Sequence, residues 1–364
     1  MEITGEKVWQ VAAGDTNRNY ADIFVYWDVI LDGPGELGPW QEIREKLTEK
    51  KRDLKRFCEE MKGGDTVLLR LGTSDVLAVG TVAETYQWLD DFGDVDGWDL
   101  QHVRRVKWMW KKCGGNPPLF EPYTLKWGDT VQPASMSTVL KEWLQGLQPN
   151  LPSTDLRKLP DTCIHGQRLK PVETNEISDF LFDRGVAASS VDMLASQLGE
   201  LIRIARWYDR KGEFPSESET IAYLIIPLLR TLGWTPQRMA VEWNNVDVAL
   251  FGTLPRDDSN LVVTVEAKRK GSSCLTAKSQ AETYAEKKGR HNCQRLIVTD
   301  GTRYGVFVRD ADQPFPDQPA AYFNLLRLVD SYPILGMDKT CGGVKHALLM
   351  MAADWSRETT DRSC

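Results

Sequence analysis

Asp247, Glu266 and Lys268 have the types and spacing from which phosphodiester chemistry can be built. Glu266 and Lys268 close the run VVTVEAK, whose Val262, Val263, Thr264 and Val265 are β-branched and suit a pleated strand. Side chains two apart on a strand share a face, so Glu266 and Lys268 project together while Ala267 points the other way. A carboxylate beside an ammonium at a strand end is either an ordinary ion pair or half of a catalytic site. Asp247 opens another strand-like run, VDVALFG, nineteen residues before Glu266. If the two strands pair as a hairpin, Asp247 and Glu266 converge at one end of it. Two carboxylates there can hold Mg2+, which takes one or two carboxylates and fills its shell with water and phosphate oxygens. Such an ion polarises a phosphoryl oxygen and lowers the pKa of bound water. Lys268 would orient that water or stabilise developing negative charge.

The surrounding pattern supplies the elements that must hold these groups. SVDMLASQLGELIRIARWYDRKG and SESETIAYLIIPLLRTLGW read as amphipathic helices, the second with a Ser/Glu-rich start favouring the positive end of the helix dipole. Pro227 falls inside the second and predicts a kink. NVDVALFG and LVVTVEAKRKG follow as strands, CLTAKSQAETYAEKKG as a helix, and RLIVTDG and RYGVFVRD as strands. This is an α/β order. AYFNLLRLVDSYPILG and KHALLMMAADW predict a helical tail.

From 215 to 310 the chain resembles the PD-(D/E)XK nuclease superfamily, in particular the nuclease domain at the N-terminus of type I restriction motor subunits. The motifs come in order: SESETIAYLIIPLLRTLGW, VDVALFG, VEAKRKG, QAETYA and VTDGTRYGVF. The resemblance implies a helix acid near the active site at Glu219 (Glu217 matches less well), and metal binding by Asp247 and Glu266. It further implies Lys268 as the lysine of the E-x-K pair, with Gln280 and Tyr284 as a Q-x-x-x-Y helix motif beside the metal. The Pro that names the superfamily is replaced by Val246. A degenerate, non-cleaving relative is the alternative.

The first segment, 1–130, reads as short strands and turns: KVWQVAAG, then DTVLLRLG and DVLAVGTVAETY as a hairpin, then HVRRVKWMW. PWQEIREKLTEKKRDLKRFCEEMKGG reads as one charged helix closed by Gly63 and Gly64. From Trp9 to about Trp110 the segment resembles the PUA-like superfamily, most closely EVE domains, small β-barrels related to readers of modified bases. The resemblance implies a flipped base held in an aromatic pocket. Tyr20, Tyr26, Trp27, Trp40, Trp88 and Trp98 are the candidate rings and Asp28 a candidate edge reader. On a strand, Tyr26 and Asp28 would share one face and Trp27 the other; the alternative for each ring is barrel core or a packed lid. Arg104 and Arg105 would either clamp a nucleic-acid backbone or solubilise the surface, and the basic helix would either meet phosphates or form a solvated face.

At 364 residues two domains are expected. The resemblances imply an EVE/PUA-like reader over 1–130 and a nuclease over 176–364, a central mixed sheet flanked by helices with a helical tail, joined by a Pro/Gly-rich linker over 131–175 that holds one short helix around STVLKEWLQGL. The fold class is thus α+β or α/β in two domains. The net charge of −7 argues against nonspecific coating of nucleic acid but not against a local basic patch. Seven cysteines without a pattern suit a reducing cytoplasm, and the absence of CxxC with only four His argues against structural zinc. No secretory signal or bilayer-spanning run is visible. No GxxxxGK[ST] occurs, so no ATP use is expected. Together these predict a cytoplasmic, Mg2+-dependent, modification-dependent DNA endonuclease of restriction type, serving antiphage defence. It would act on DNA carrying a modified base and as a homodimer for double-strand cleavage. The alternatives are a non-cleaving binder of modified nucleic acid and an RNA-directed nuclease.

Overall fold

Short apolar runs punctuated by Gly and Asp turns pair into a curled sheet in the first unit of this computed structural model. Residues 7–15, 18–33, 35–45, 52–114, 116–153, 155–159, 170–211, 215–270, 273–311, 313–333 and 340–356 are described. They fall into two compact units, one of residues up to 95 and 99–159, the other of 96–98 and residues from 170 onward. In chain order the first unit contains β1 (Val8–Ala12), the small ribbon β2 (Gly14–Asp15) and β3 (Arg18–Asn19), β4 (Val29–Asp32), β5 (Thr66–Leu71), β6 (Asp75–Val82), β7 (Gln87–Trp88), β8 (His102–Lys111) and β9 (Val131–Pro133). The sheet order is β4-β8-β6-β5-β1-β9, with β7 also paired to β8. β1 and β5 run parallel and the other pairs antiparallel. Register shifts at Leu69/Arg70 and Val79/Gly80 are bulges that bend the sheet into a half-barrel.

The helices of this unit are α1 (Ala21–Tyr26), α2 (Trp40–Ile43), α3 (Arg52–Lys55) with a π-helical turn at Arg56–Glu60, and α4 (Thr138–Gly146). Ser137 caps α4 by accepting from the Leu140 N–H. Leu140 and Leu144 then pack on Leu68, Val76 and Val79. Three expectations change here. Residues 21–26 are helical rather than a strand. The single charged helix is divided, with 46–51 outside the described residues. The stretch from 131, expected as a linker holding one short helix around STVLKEWLQGL, has that helix as α4 and adds β9, an edge strand suited to Pro133, and its described residues up to 159 are grouped with the first unit.

The second unit starts with α5 (Thr174–Asp183), α6 (Ala188–Lys211) and α7 (Glu217–Thr220), which runs through a π-helical turn at Ile221–Ile225 into α8 (Ile226–Thr231). Pro227 explains that turn. Its ring clashes with the carbonyl four residues back and it has no N–H, so widening the preceding turn lets the helix continue. Strands β10 (Met239–Trp243), β11 (Val246–Phe251), β12 (Leu261–Ala267), β13 (Arg295–Thr299), β14 (Arg303–Val308), β15 (Ala321–Asn324), β16 (Ser331–Pro333) and β17 (Thr340–Gly342) form one mixed sheet. Its order is β10-β11-β12-β13-β14-β15-β17-β16. β11 and β12 are antiparallel, whereas β12 and β13 are parallel. The β12–β13 connection carries a 3-10 turn, Cys274–Ala277, and helix α9 (Lys278–Ala285), which packs on β12 and β13. Helix α10 (Val344–Met351) closes the unit.

The predicted helical tail is therefore corrected: AYFN is β15, SYP is β16, and only the last apolar run is helical. All four residues of β15 are buried in the sheet interior, with Phe323 stacked on Tyr304 and Tyr322 against Tyr332. A strand buried on both faces loses the alternation that would have marked it. A large apolar core joins α5, α6, α8 and α10 to one face of this sheet.

Candidate active site

A two-residue turn sets the position of Asp247. Asn244 and Asn245 have φ of 49° and 71°, the doubly left-handed arrangement of a type I′ hairpin, which Asn tolerates. Trp243 pairs with Val246 across it, so Asp247 is the second residue of β11. The β11–β12 register pairs Val248 with Val265, and one step further Asp247 stands against Glu266. Opposed residues on one sheet face hold their Cβ atoms about 5 Å apart. Backbone geometry alone thus brings the two acids together, as the hairpin expectation required.

The side chains complete the cluster. Asp247 Oδ2 accepts from the Ala267 N–H at 2.7 Å. Lys268 Nζ donates to Glu266 Oε1 at 3.0 Å and to Gln280 Oε1 at 2.8 Å. Gln280 Nε2 donates to the Tyr284 hydroxyl at 3.2 Å, one turn further along α9. Glu266, Lys268, Gln280 and Tyr284 therefore form one connected polar chain, with Asp247 beside it on the neighbouring strand. Glu266 is only 2 % exposed, and its Oε2 is buried without a hydrogen-bond partner. Burial, with Asp247 adding repulsion, pushes its carboxyl up to about 7 against the pull of Lys268. Burial also raises Asp247, more than the Ala267 N–H and Lys268 lower it.

Glu219 is placed differently from its neighbours in the motif. It is exposed, and its Oε2 accepts from the Ser216 N–H and hydroxyl while Ser216 Oγ accepts from the Glu219 N–H. This capping box holds Glu219 below the usual carboxylate range. The helix acid whose charge raises Glu266 is Glu217. Gly301 fixes where this helix lies: its φ is +81°, and a Cβ there would meet Thr220 Cγ2 at 2.5 Å. The turn of Gly301 follows Thr299, whose carbonyl accepts from the Lys268 N–H at 2.7 Å. Glu242 is a further acid that the motif reading missed. Its neighbours Val241 and Trp243 pair with Val248 and Val246, which sets it opposite Asp247, and its charge raises Asp247. The signal was available as the five-residue spacing across a two-residue turn.

Among the described residues no three His, Cys, Asp or Glu side chains gather as a metal-binding group. The donor set nonetheless fits Mg2+, which needs only one or two protein carboxylates. The partnerless buried oxygen of Glu266 is the observation that favours a cation there. Asp247 and Glu266 would hold it.

Several of the rings expected around a base are packed inside the first unit. Tyr20, Trp27 and Trp40 are buried, Trp27 to 3 % exposure, and belong to the core. Trp40 Nε1 donates to Glu59 Oε1 at 3.0 Å, and Trp27 packs edge-on against Tyr26. Trp88 Nε1 donates to Asp90 Oδ1 at 2.8 Å, with its ring edge-on to His102. Trp98 is grouped with the second unit. Tyr26 and Asp28 are part-exposed, but their binding faces are taken: the Arg157 guanidinium lies 4.2 Å over the Tyr26 ring, and Asp28 Oδ2 accepts from the Arg157 N–H at 2.7 Å. Asp28 sits at φ +53° after a helix, not on a strand, so the expected alternation of 26, 27 and 28 does not apply.

Arg104 and Arg105 are neither phosphate clamps nor solubilising charges. Arg104, 3 % exposed, donates to the carbonyls of Phe57, Cys58 and Glu84. Arg105 donates to those of Asp28 and Arg157.

Comparison with known proteins adds one match. A family model described as "Domain of unknown function (DUF8426)" matches residues 36–121, a stretch that includes α2, α3 and β5 to β8. No curated protein and no solved structure matches the chain.

Proposed function

We propose that the chain is a metal-dependent endonuclease whose second unit hydrolyses phosphodiester bonds at Asp247, Glu266 and Lys268. The observation that carries this reading is the buried Glu266 carboxylate, set against Asp247 and Lys268 with one oxygen unpartnered. Acids gathered at one strand end repel one another and lose water, and a divalent ion removes both costs at once. When bound, Mg2+ polarises the phosphoryl oxygen and activates a water. Asp247 and Glu266 bind the ion. Lys268, already held by Glu266 and Gln280, keeps an ammonium at the site to balance charge that develops on the phosphoryl oxygens. Gln280 orients that lysine, and Tyr284 orients Gln280.

The reading extends to modification-dependent restriction of DNA, with the first unit selecting a modified base and two copies of the chain cutting both strands. Its support is the EVE-like strand pattern joined to the nuclease motifs in one chain. Among the base candidates, Trp88 and Trp98 keep partial exposure, as do Tyr26 and Asp28 beneath Arg157.

The test is Mg2+-dependent cleavage of matched modified and unmodified duplexes and of RNA, with Asp247→Ala and Lys268→Ala as controls. Cleavage of modified DNA alone, lost in both variants, is the expected result. Equal cutting of both duplexes rejects the reader role, cutting of RNA alone redirects the substrate, and no cutting leaves a non-cleaving binder.

A further inference from the structure

Helix α6 carries two stripes. Leu194, Leu198, Leu201 and Ala205 face the core. Glu200, Arg203, Ile204, Trp207 and Tyr208 make the other, at the i, i+3, i+4, i+7, i+8 spacing of one helix face. With Tyr223, from the π-helical turn after α7, they line an open cleft of about 600 Å³. Folding leaves its rings uncovered: Trp207 is 45 % exposed and Tyr223 53 %. Trp207 and Tyr208 meet edge-on at 5.0 Å, which holds the indole in place.

The cleft lies beside the acidic strand end. Tyr223 follows Glu219 by four residues in the same continuous helix, so it stands about one turn from the acidic start of α7. Asp209, the next residue on α6, pairs with Lys270, two positions past Lys268.

We propose that this cleft binds an unpaired nucleic-acid strand, bases stacking on Trp207 and Tyr223 while Arg203 meets a phosphate. Ring faces accept any base, and a guanidinium beside them contacts the backbone, so recognition is of single-strandedness rather than sequence. A purely apolar partner would leave Arg203 and Glu200 to be desolvated; a polynucleotide uses the arginine and leaves the glutamate in water. The proposal deepens the phosphodiester reading by naming its substrate class, a strand melted or frayed near the scissile bond. It rests on that reading for its placement.

The test uses the full-length chain carrying Lys268→Ala, without divalent cation, and fluorescence anisotropy of a labelled single-stranded oligodeoxynucleotide and of its blunt duplex. Tighter binding of the single strand is expected. Trp207→Leu and Tyr223→Leu should each weaken it roughly tenfold. Arg203→Glu should weaken it and flatten its salt dependence. All three positions are exposed, so the melting temperature should hold in every variant. Undiminished binding in the three variants, preference for the blunt duplex, or no binding overturns the proposal. If the unsubstituted chain cleaves nothing with Mg2+ while the variants still lose strand binding, the cleavage reading falls and the cleft stands. If it cleaves while the variants bind as before, the reverse holds.

Discussion

The strand end around Glu266 and the neighbourhood of Tyr26 and Asp28 treat their polar groups in opposite ways. In the first unit Asp28 and Arg105 close on Arg157, whose guanidinium also covers the Tyr26 ring, so the chain answers its own donors and acceptors. In the second, Glu242 acts on Asp247, and Asp247 and Glu217 act on Glu266, as like charges, while among the described residues the Glu266 carboxylate is hydrogen-bonded to Lys268 alone. The first region holds its charged groups in pairs with the chain, leaving the Trp27 indole N–H without a partner among the described residues; the second has a surplus of negative charge that a cation would balance. An unpaired buried acceptor costs about 1–3 kcal/mol, which is a standing penalty on the metal-free chain.

The contrast breaks first at Trp27. As a core ring, its replacement in Trp27→Ala should lower unfolding free energy by about 3–5 kcal/mol in denaturant titration. A variant of normal stability that loses discrimination between modified and unmodified DNA would move Trp27 from the core to a binding surface. Lys268→Ala should reduce Mg2+-dependent cleavage by about 10²–10³-fold, as removal of a transition-state charge partner does, with the fold retained. Retained turnover would leave the lysine as a structural ion pair.

The pH dependence sharpens the same contrast. The Glu266 carboxyl is raised from an ordinary 4.5 to about 7, so between those values the folded state holds more protons than the unfolded. This contribution to the stability of the metal-free chain is therefore greatest below about 4.5 and falls as pH rises through about 7, by about 3 kcal/mol at most. Mg2+ replaces the proton, so its addition should raise the melting temperature more at pH 8 than at pH 5. Equal shifts at the two pH values would detach the metal from Glu266. The smallest effect is expected from Arg157→Ala. Its cation–π contact with Tyr26 accounts for about 0.5–1 kcal/mol, read by denaturation, and its loss should uncover the ring.

What the sequence disclosed about these regions follows from the range of the interactions. Glu266 and Lys268 share a face because strand side chains alternate, and Asp247 joins them because one antiparallel pairing suffices; both rules are local. The aromatic candidates had no such rule. Ring type does not say whether a side chain is covered, and in Tyr20, Trp27 and Trp40 tertiary packing covers it. ADIFVY is rich in strand formers yet makes α1, and AYFN resembles a helical run yet makes β15, because in short segments neighbours outweigh intrinsic preference. β9 is three residues long, too short for any periodicity to register. Glu219 and Glu217 are two apart on a helix start, and only the capping geometry distinguishes their roles.

The widened turn at Ile221–Ile225 has a consequence for variation in chain length. A bulge of this kind accommodates one additional residue, and a residue spans about 100° of helical rotation. Deleting one position there, with Pro227→Ala to permit regular hydrogen bonding, would leave a continuous and stable helix. Because the widened turn already absorbs that residue, the acid-bearing end would keep its facing and Glu217 its coupling to Glu266, whereas the same deletion in a regular turn would rotate that end by about 100°.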